Sequence, residues 1–238
     1  MIDAGLTAAA QTARLEAAKT SVRALHHIAL SHGHLDHTRS AGIFSKRNEH
    51  LTVHCAERVM KNKALARARR LSTLTIGREQ SLGDRTGNDQ LSLLAVKIPH
   101  DADPTVAFRI EYEGRRLVIL TDMGHPAREA TRELIDPHVL LLEFNHDEGM
   151  IETGPYPPSL RKRILGGGGH LSNSQAAEVL GHLAGSNLHT LVLAHLSEHN
   201  NTPELAREVA ESKLSTLGLS HVRVLIASQT DIGENLSV

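Results

Sequence analysis

The segment Ser31-His32-Gly33-His34-Leu35-Asp36-His37 brings four metal-ligand side chains together within six residues. It directly follows the apolar run Ile28-Ala29-Leu30, which predicts a strand that ends in a loop. Imidazole nitrogens and a carboxylate oxygen suit zinc or a similar divalent ion. Because a loop at a strand end can turn alternate side chains toward one point, the segment predicts a metal site. The alternative is a polar loop in which the histidines occur by coincidence.

Three later strands are each followed by a ligand-type side chain. His100, Asp122 and His195 come immediately or two residues after the end of a predicted strand. A polar residue at a strand end is usually an ordinary loop residue, so each of these signals is weak alone. Their shared position gives them weight, because one edge of a sheet can gather groups from distant parts of the chain. The single Cys55 lies outside this pattern, so we expect only nitrogen and oxygen ligands.

A run of four glycines, residues 166–169, precedes His170. Ser172 and Gln175 then form a capping box that begins a predicted helix. Free N–H groups at a helix N-terminus favour an anion, and glycine lets a phosphate approach closely. The arrangement predicts that His170 lies at a phosphate site. The alternative is a loose surface loop that carries a solvated histidine.

Residues 31–37 resemble the His-x-His-x-Asp-His signature of the metallo-β-lactamase superfamily. The resemblance implies two divalent ions, Zn²⁺ or Mn²⁺, held by seven residues of this chain. By resemblance, the first ion takes His32, His34 and His100, the second takes Asp36, His37 and His195, and the carboxylate that bridges them is Asp122.

Four further blocks are similar to the YycJ/WalJ-type branch of that superfamily, whose members are described as DNA exonucleases. The blocks are Leu-Glu-Phe-Asn-His-Asp (142–147), Gly-Pro-Tyr-Pro (154–157), Gly-His-Leu-Ser-Asn (169–173) and Ala-His-Leu-Ser (194–197). The last two also resemble blocks of the tRNA 3′-processing ribonucleases, in which the histidine before the helix protonates the leaving group. The similarity covers essentially the whole chain.

The resemblance assigns catalytic roles as well as ligands. It implies that His170 is the general acid and that Asp36, besides binding metal, helps to orient the nucleophile. We expect Glu143 to orient His170 and His146 to lie behind the ligands or against the substrate. For Glu143, an ordinary strand-end carboxylate is an equal alternative.

The remainder of the chain must position these residues, and its pattern is that of an α/β protein. Capped helices are predicted at 173–183 and after Thr202-Pro203, and Glu113-Gly114 predicts a hairpin turn. Aliphatic or β-branched runs predict strands at 24–30, 51–54, 91–98, 105–112, 116–121, 139–144, 190–194 and 222–227.

The family resemblance refines this α/β class to a four-layer αββα sandwich with the metals at the sheet edge. We expect one domain spanning residues 1–238. The first residues, Met1-Ile2-Asp3-Ala4-Gly5-Leu6, are similar to a strand and Asp-x-Gly turn that family members precede with further strands. The first sheet is therefore expected to lack those N-terminal strands.

The composition of the chain limits the binding surfaces and the cellular location that can be expected. Lys+Arg 26 against Asp+Glu 27 leaves a net charge of -1, so any phosphate-binding surface must be local. The basic run 58–70 is one candidate, on a predicted helix, although such runs are more often solvated helix faces. The chain has one cysteine, no secretion signal and no apolar run of membrane-spanning length, which predicts a cytoplasmic protein with no membrane partner.

These observations together predict a metal-dependent hydrolase. The resemblance implies a phosphodiesterase, specifically a 5′ to 3′ exodeoxyribonuclease-like enzyme that uses a hydroxide activated by two metal ions. Its expected substrate is nucleic acid, most simply DNA. The chain has few aromatic side chains on which nucleic-acid bases could stack, with Trp 0, Tyr 2 and Phe 3. We therefore expect the protein to hold the nucleic-acid strand by its phosphates. Two alternatives stay open: hydrolysis of a thioester, lactone or β-lactam, and a truncated protein that binds metal without turnover.

Overall fold

Each of the eight predicted strands corresponds to a strand of the fold. The computed structural model describes residues 1–83 and 91–238. Two three-residue strands, Leu71–Thr73 and Glu79–Ser81, were not predicted, because such short, mostly polar segments carry no recognisable alternation. In the described residues the strands are β1 His27–Ala29, β2 Thr52–Cys55, β3 Leu71–Thr73, β4 Glu79–Ser81, β5 Ser92–Ile98, β6 Thr105–Tyr112, β7 Arg115–Leu120, β8 Val139–Glu143, β9 Thr190–Ala194 and β10 Arg223–Ile226.

The two capped helices predicted at 173–183 and after Thr202-Pro203 are confirmed. Both reciprocal hydrogen bonds of the Ser172–Gln175 capping box are present, and Thr202 caps the following helix through Leu205 N. Six shorter helices were not predicted. The helices of the described residues are α1 Ala8–Ala17, α2 Leu35–Thr38, α3 Ala41–Arg47, α4 Arg128–Thr131, α5 Glu148–Thr153, α6 Pro158–Ile164, α7 Asn173–Leu183 and α8 Pro203–Thr216.

The helix predicted over the basic run 58–70 is wrong. The chain forms two separate 3₁₀ turns there, Val59–Lys61 and Lys63–Leu65. Asn62 between them has an extended backbone, and its side chain accepts a hydrogen bond from Ala64 N. Asparagine favours such local side-chain to backbone bonds over helix continuation, which explains the break.

The chain divides into two compact units. The first comprises Met1–Ala95, Ala102–Val106 and Thr230–Ser237, and the second comprises Val96–Asp101, Ala107–Gln229 and Val238. This division into units does not test whether residues 1–238 form one domain, which therefore stays a prediction. None of the helices in the described part of the chain is long and apolar enough to cross a membrane.

The first unit is built on a parallel sheet in the order β1-β2-β3. Residue Ile2 forms a parallel bridge to Ala29 of β1, so the N-terminal segment lies against that strand. The sheet packs on a hydrophobic core that includes the fully buried side chains of Ile28, Phe44 and Val53. The strand β1 therefore delivers residues 31–37 to one end of a well-packed sheet.

The second unit is built on strands in the order β10-β9-β8-β7-β6, of which the first four are mutually parallel. Strands β6 and β7 are antiparallel and joined by the predicted turn, where both Glu113 and Gly114 have positive φ. Helix α7 packs against β8 and α8. Since the carboxyl ends of parallel strands share one edge, the residues that end β7, β8 and β9 are neighbours.

Candidate metal-ligand clusters

The first unit gathers the four ligand-type residues that follow β1. His32 Nε2 lies 3.0 Å from His34 Nδ1, so two imidazoles of the signature converge on one point. The rings of His32 and His37 are also close, with centroids 4.1 Å apart. His37 Nε2 lies 3.7 Å from a carboxylate oxygen of Asp36. The side chains of His32 and His37 are buried, whereas that of Asp36 is 73% exposed.

A carboxylate that the sequence analysis did not single out holds this cluster from behind. Asp3 Oδ2 accepts hydrogen bonds from His37 Nδ1 and from Ser31 Oγ, both at 2.8 Å. Because Ser31 gives its only hydroxyl proton to Asp3, its oxygen accepts from His32 Nδ1 at 3.0 Å. In the neutral rings of His32 and His37 the Nε2 atoms then carry no proton and can bind a cation.

The position of Asp3 depends on a close approach of two backbone segments. Ala4 N donates to His37 O at 2.8 Å, and a Cβ added to Gly5 would lie 1.4 Å from Asp36 O. Only glycine fits at that position. The Asp-x-Gly pattern at residues 3–5 was the available signal, but its partner lies more than thirty residues away, and sequence spacing does not reveal such a contact.

The second unit surrounds the buried carboxylate of Asp122 with three imidazoles. Asp122 Oδ1 lies 3.5 Å from His195 Nε2, and 3.9 Å from both His100 Nε2 and His170 Nδ1. His100 Nδ1 donates to Gly169 O at 3.0 Å, which leaves its Nε2 facing Asp122. Burial lowers the pKa of His100 and so favours the neutral form that binds metal.

Two residues of this cluster have left-handed backbone conformations. Asp122 has φ 61 and His195 has φ 58, each directly after a strand. Such conformations are uncommon for residues other than glycine, and the rigid ends of β7 and β9 hold them in place. The side chains of the two residues approach each other, with Asp122 Oδ1 3.5 Å from His195 Nε2.

Glu143, the last residue of β8, serves two of these imidazoles at once. Its Oε1 atom accepts from His170 Nδ1 at 2.7 Å and from His195 Nδ1 at 3.0 Å, and its Oε2 atom accepts from Met123 N at 2.9 Å. The side chain is fully buried, which opposes ionisation, but the hydrogen bonds and charges of the two histidines lower its pKa to about 2. A permanent carboxylate therefore sets the orientation of both rings.

The glycine run before His170 is tightly packed and is not a loose loop. A Cβ on Gly169 would lie 1.9 Å from Ile164 O. The carbonyl oxygen of Gly168 accepts a hydrogen bond from Asp101 N at 2.9 Å. His170 N itself donates to Ile164 O at 3.0 Å. The loop conformation therefore fixes the start of the segment that carries His170.

The anion site expected at the N-terminus of α7 is not supported. Asn173 N donates to His146 O at 2.8 Å, and Gln175 N donates to Ser172 Oγ at 3.2 Å. Leu171 N lies against Glu143 Oε2. Donors that were expected to bind a phosphate are thus already satisfied within the protein.

His146 is not among the described residues that group as metal ligands, although the charges of Glu143 and His170 act on it. It is 1% exposed, burial lowers its pKa, and its Nδ1 atom has no hydrogen-bond partner among the described residues. Its neighbour Asn145 has a clearer function, because Asn145 Nδ2 donates to His195 O at 2.9 Å and so supports the strained turn.

The chemistry of these donors fits divalent cations. In the second unit, one ligand atom from each of Asp122, His170 and His195 lies within 4.8 Å of the others. Five of the imidazoles are anchored through one nitrogen by a carboxylate, hydroxyl or carbonyl oxygen, which is the usual surrounding of metal-binding histidine. They are His32, His37, His100, His170 and His195. His170, expected as a general acid, thus lies among ligand-type side chains.

The predicted site residues divide between the two units. His32, His34, Asp36 and His37 cluster in the first unit, and the second unit brings together its own set. That set consists of His100, Asp122, Glu143, His170 and His195.

Comparison with known proteins identifies the family of this chain. A family model described as "Beta-lactamase superfamily domain" matches residues 1–196. The chain is 26% identical to "Exodeoxyribonuclease YycJ" of Bacillus anthracis over 92% of this chain and 81% of that protein. It is 27% identical to "Exodeoxyribonuclease WalJ" of Streptococcus pneumoniae serotype 2 over the same shares.

A solved structure identifies the fold. The metallo-β-lactamase fold protein YhfI from Bacillus subtilis superposes with a TM-score of 0.65 at 16% identity, covering 95% of this chain and 83% of that protein. The α/β class and the metallo-β-lactamase fold predicted from the sequence are confirmed by this match and by the family model.

Proposed function

We propose that this chain, which belongs to the β-lactamase superfamily as a metallo-β-lactamase-fold hydrolase, hydrolyses phosphodiester bonds in nucleic acid. The proposed activity is that of a 5′ to 3′ exodeoxyribonuclease. The observation that carries the proposal is the Glu143–His170 hydrogen bond of 2.7 Å beside the buried carboxylate of Asp122. A carbonyl hydrolase has no need of such a supported histidine. The names of the 26–27% identical relatives favour the same substrate class.

The proposal includes two divalent ions, Zn²⁺ or Mn²⁺. When bound, such ions supply Lewis acidity, lower the pKa of water and neutralise charge on the phosphate. We propose the ligand set expected from the sequence. Its members are His32, His34, Asp36, His37, His100, Asp122 and His195.

The residues around His170 are suited to proton transfer. Glu143 accepts the Nδ1 proton, so the Nε2 atom is the one that can deliver a proton to the departing sugar oxygen. A buried carboxylate behind an imidazole also stabilises the charged imidazolium, which is the form that a general acid requires. His195 shares the same Glu143 oxygen, so the ring of the proposed acid and that of a proposed ligand are oriented together.

Residues around the proposed ligands hold those ligands in the form and position that the reaction needs. Asp3 and Ser31 hold the histidines after β1 in the tautomer that binds cations, and Asn145 holds the backbone of His195. Asp36, with its exposed carboxylate, is proposed to orient the attacking water. A nucleic-acid substrate is consistent with the cytoplasmic location that the sequence predicted.

A nuclease assay with matched variants tests the proposal. Protein reconstituted with zinc or manganese is incubated with 5′- or 3′-end-labelled DNA and RNA, single- and double-stranded, and in parallel with a thioester, a lactone and a β-lactam. We expect stepwise release of nucleotides from 5′ ends of DNA, loss of that activity in Asp122→Asn, and unchanged activity in the exposed control His221→Ala. Turnover of a carbonyl substrate with no cleavage of nucleic acid would contradict the proposal.

A further inference from the structure

A cavity of about 370 Å³ lies beside His34 in the first unit. It is large enough to hold a small ligand, since binding pockets begin at roughly 300 Å³. One wall comes from the loop after β1, a second from the first 3₁₀ turn of the basic run, and a third from the segment before β6. Its lining includes Gly33, His34, Arg58, Lys61, Asn62 and Asp103.

Side chains tie these three walls together. Asn62 Nδ2 donates to Gly33 O, which joins the basic segment to the loop that carries His34. Arg58 Nη1 lies 2.9 Å from Asp103 Oδ2, which joins the basic segment to the third wall. The cavity is therefore a built feature of the unit, held by contacts between residues distant in sequence.

Only part of the basic run faces the cavity. Arg58 and Lys61 line it, whereas Arg69 is paired with Glu49 elsewhere on the unit. Within the described residues, Lys61 forms no ion pair, and its side chain is exposed. Two cations against the single carboxylate of Asp103 leave the lining with a net positive charge, although the whole chain has a net charge of -1.

We propose that this cavity binds a phosphate of the substrate strand other than the one being cleaved, with Lys61 and Arg58 as its cationic contacts. The proposal rests on the proposed function, in which His34 is a metal ligand. The lysine ammonium group is a flexible point charge that can pair with a phosphate. The guanidinium of Arg58 has several N–H donors, so it can bind Asp103 and a phosphate oxygen at the same time. The same chemistry suits a terminal 5′-phosphate or an internal phosphodiester.

The break in the basic run explains how the contact is made. A continuous helix over 58–70 would spread its cations around its surface. Instead the first turn ends at Asn62, which binds Gly33 O, and Lys61 lies in the lining of the cavity. The same residue, Asn62, thus interrupts the helix and joins two walls of the cavity.

Binding measured without cleavage tests this subsite. A short phosphorothioate DNA strand, labelled with fluorescein at its 3′ end, keeps the backbone charge and resists hydrolysis. Its affinity for metal-reconstituted protein is measured by fluorescence anisotropy at several salt concentrations, with and without a 5′-phosphate. The variants are Lys61→Gln and the matched control Lys63→Gln, which changes an exposed lysine of the same run that does not line the cavity.

We expect Lys61→Gln to weaken binding about tenfold and to reduce the slope of log affinity against log salt by about 0.7, while Lys63→Gln resembles the wild type. Because both lysines are exposed, thermal unfolding should be unchanged in both variants. A loss confined to the 5′-phosphorylated strand assigns the cavity to the terminal phosphate, and an equal loss on both strands assigns it to an internal phosphate.

Equal affinities of the two variants, or no binding by the wild type, would overturn the subsite. Failure of the nuclease proposal is distinguishable. If the wild type cleaves DNA but Lys61→Gln binds normally, only the subsite is wrong. If Lys61→Gln alone binds poorly but no phosphodiester is cleaved, the subsite stands and the nuclease function fails.

Discussion

Replacement of Glu143 by glutamine should both destabilise the second unit and weaken metal binding. The carboxylate accepts four hydrogen bonds while fully buried, from His170 Nδ1, His195 Nδ1, Met123 N and, at 3.4 Å, Leu171 N. A glutamine side chain has one oxygen and one NH₂ group. In either orientation its NH₂ group therefore faces donors, either two imidazoles or two backbone N–H groups.

The magnitude follows from those four contacts. Leaving two buried donors without an acceptor costs about 1–3 kcal/mol each, and breaking a buried charged pair costs roughly 3–5 kcal/mol, so we expect Glu143→Gln to lose about 3–5 kcal/mol. Loss of the group that orients two histidines should also reduce metal affinity about 10- to 100-fold.

Urea unfolding of metal-free protein and competition titration with a zinc chelator measure the two effects separately. Glu152→Gln, an exposed carboxylate on α5, is the matched control and should stay within about 0.5 kcal/mol of the wild type. A loss below about 1 kcal/mol in Glu143→Gln, together with normal zinc affinity, would refute the view that Glu143 organises this cluster.

Three further predictions concern the proton donor, the metals and acid stability. His170→Ala should slow DNA hydrolysis by roughly 10² to 10⁴ while scarcely affecting bis-nitrophenyl phosphate, whose leaving group needs no proton; equal losses on both substrates would indicate a structural or ligand role. Elemental analysis should find about two transition-metal ions per chain, and Asp36→Ala should retain about one; absence of metal after reconstitution would contradict the ligand assignments. Burial and the neighbouring His27 ring lower the pKa of His54 to about 4, so the unfolded state binds the extra proton first. Stability should therefore be complete above about pH 6.5 and fall by about 1–3 kcal/mol as the pH drops through 4, and urea midpoints in a His54→Gln variant should show a smaller decline.

Much of this architecture could be predicted because its signals are local. Aliphatic runs mark eight of the ten strands in the described residues, and the Ser172–Gln175 box marks the start of α7. The ligand types that follow β1 are equally visible in sequence. Each of these features depends on residues within a few positions of one another.

The remainder depends on contacts between distant residues. Asp3 supports His37 across more than thirty positions, and Glu143 contacts two histidines on different segments. Asn62 was the one local clue against a helix over the basic run, but its decisive partner, Gly33 O, is again remote. Side-chain orientation at a sheet edge is therefore known only once the strands are paired.

The left-handed turns at Asp122 and His195 affect how this protein should be mutated. Alanine is the usual substitution for testing the role of a side chain. At φ near 60, however, alanine adopts the left-handed backbone conformation less readily than aspartate or histidine does. At Asp122, asparagine keeps both shape and backbone preference, so Asp122→Asn isolates the charge. At His195, asparagine separates loss of the imidazole from backbone strain, and comparison with glycine measures the strain itself. Alanine scanning would count that strain as lost chemistry and overstate the importance of both side chains.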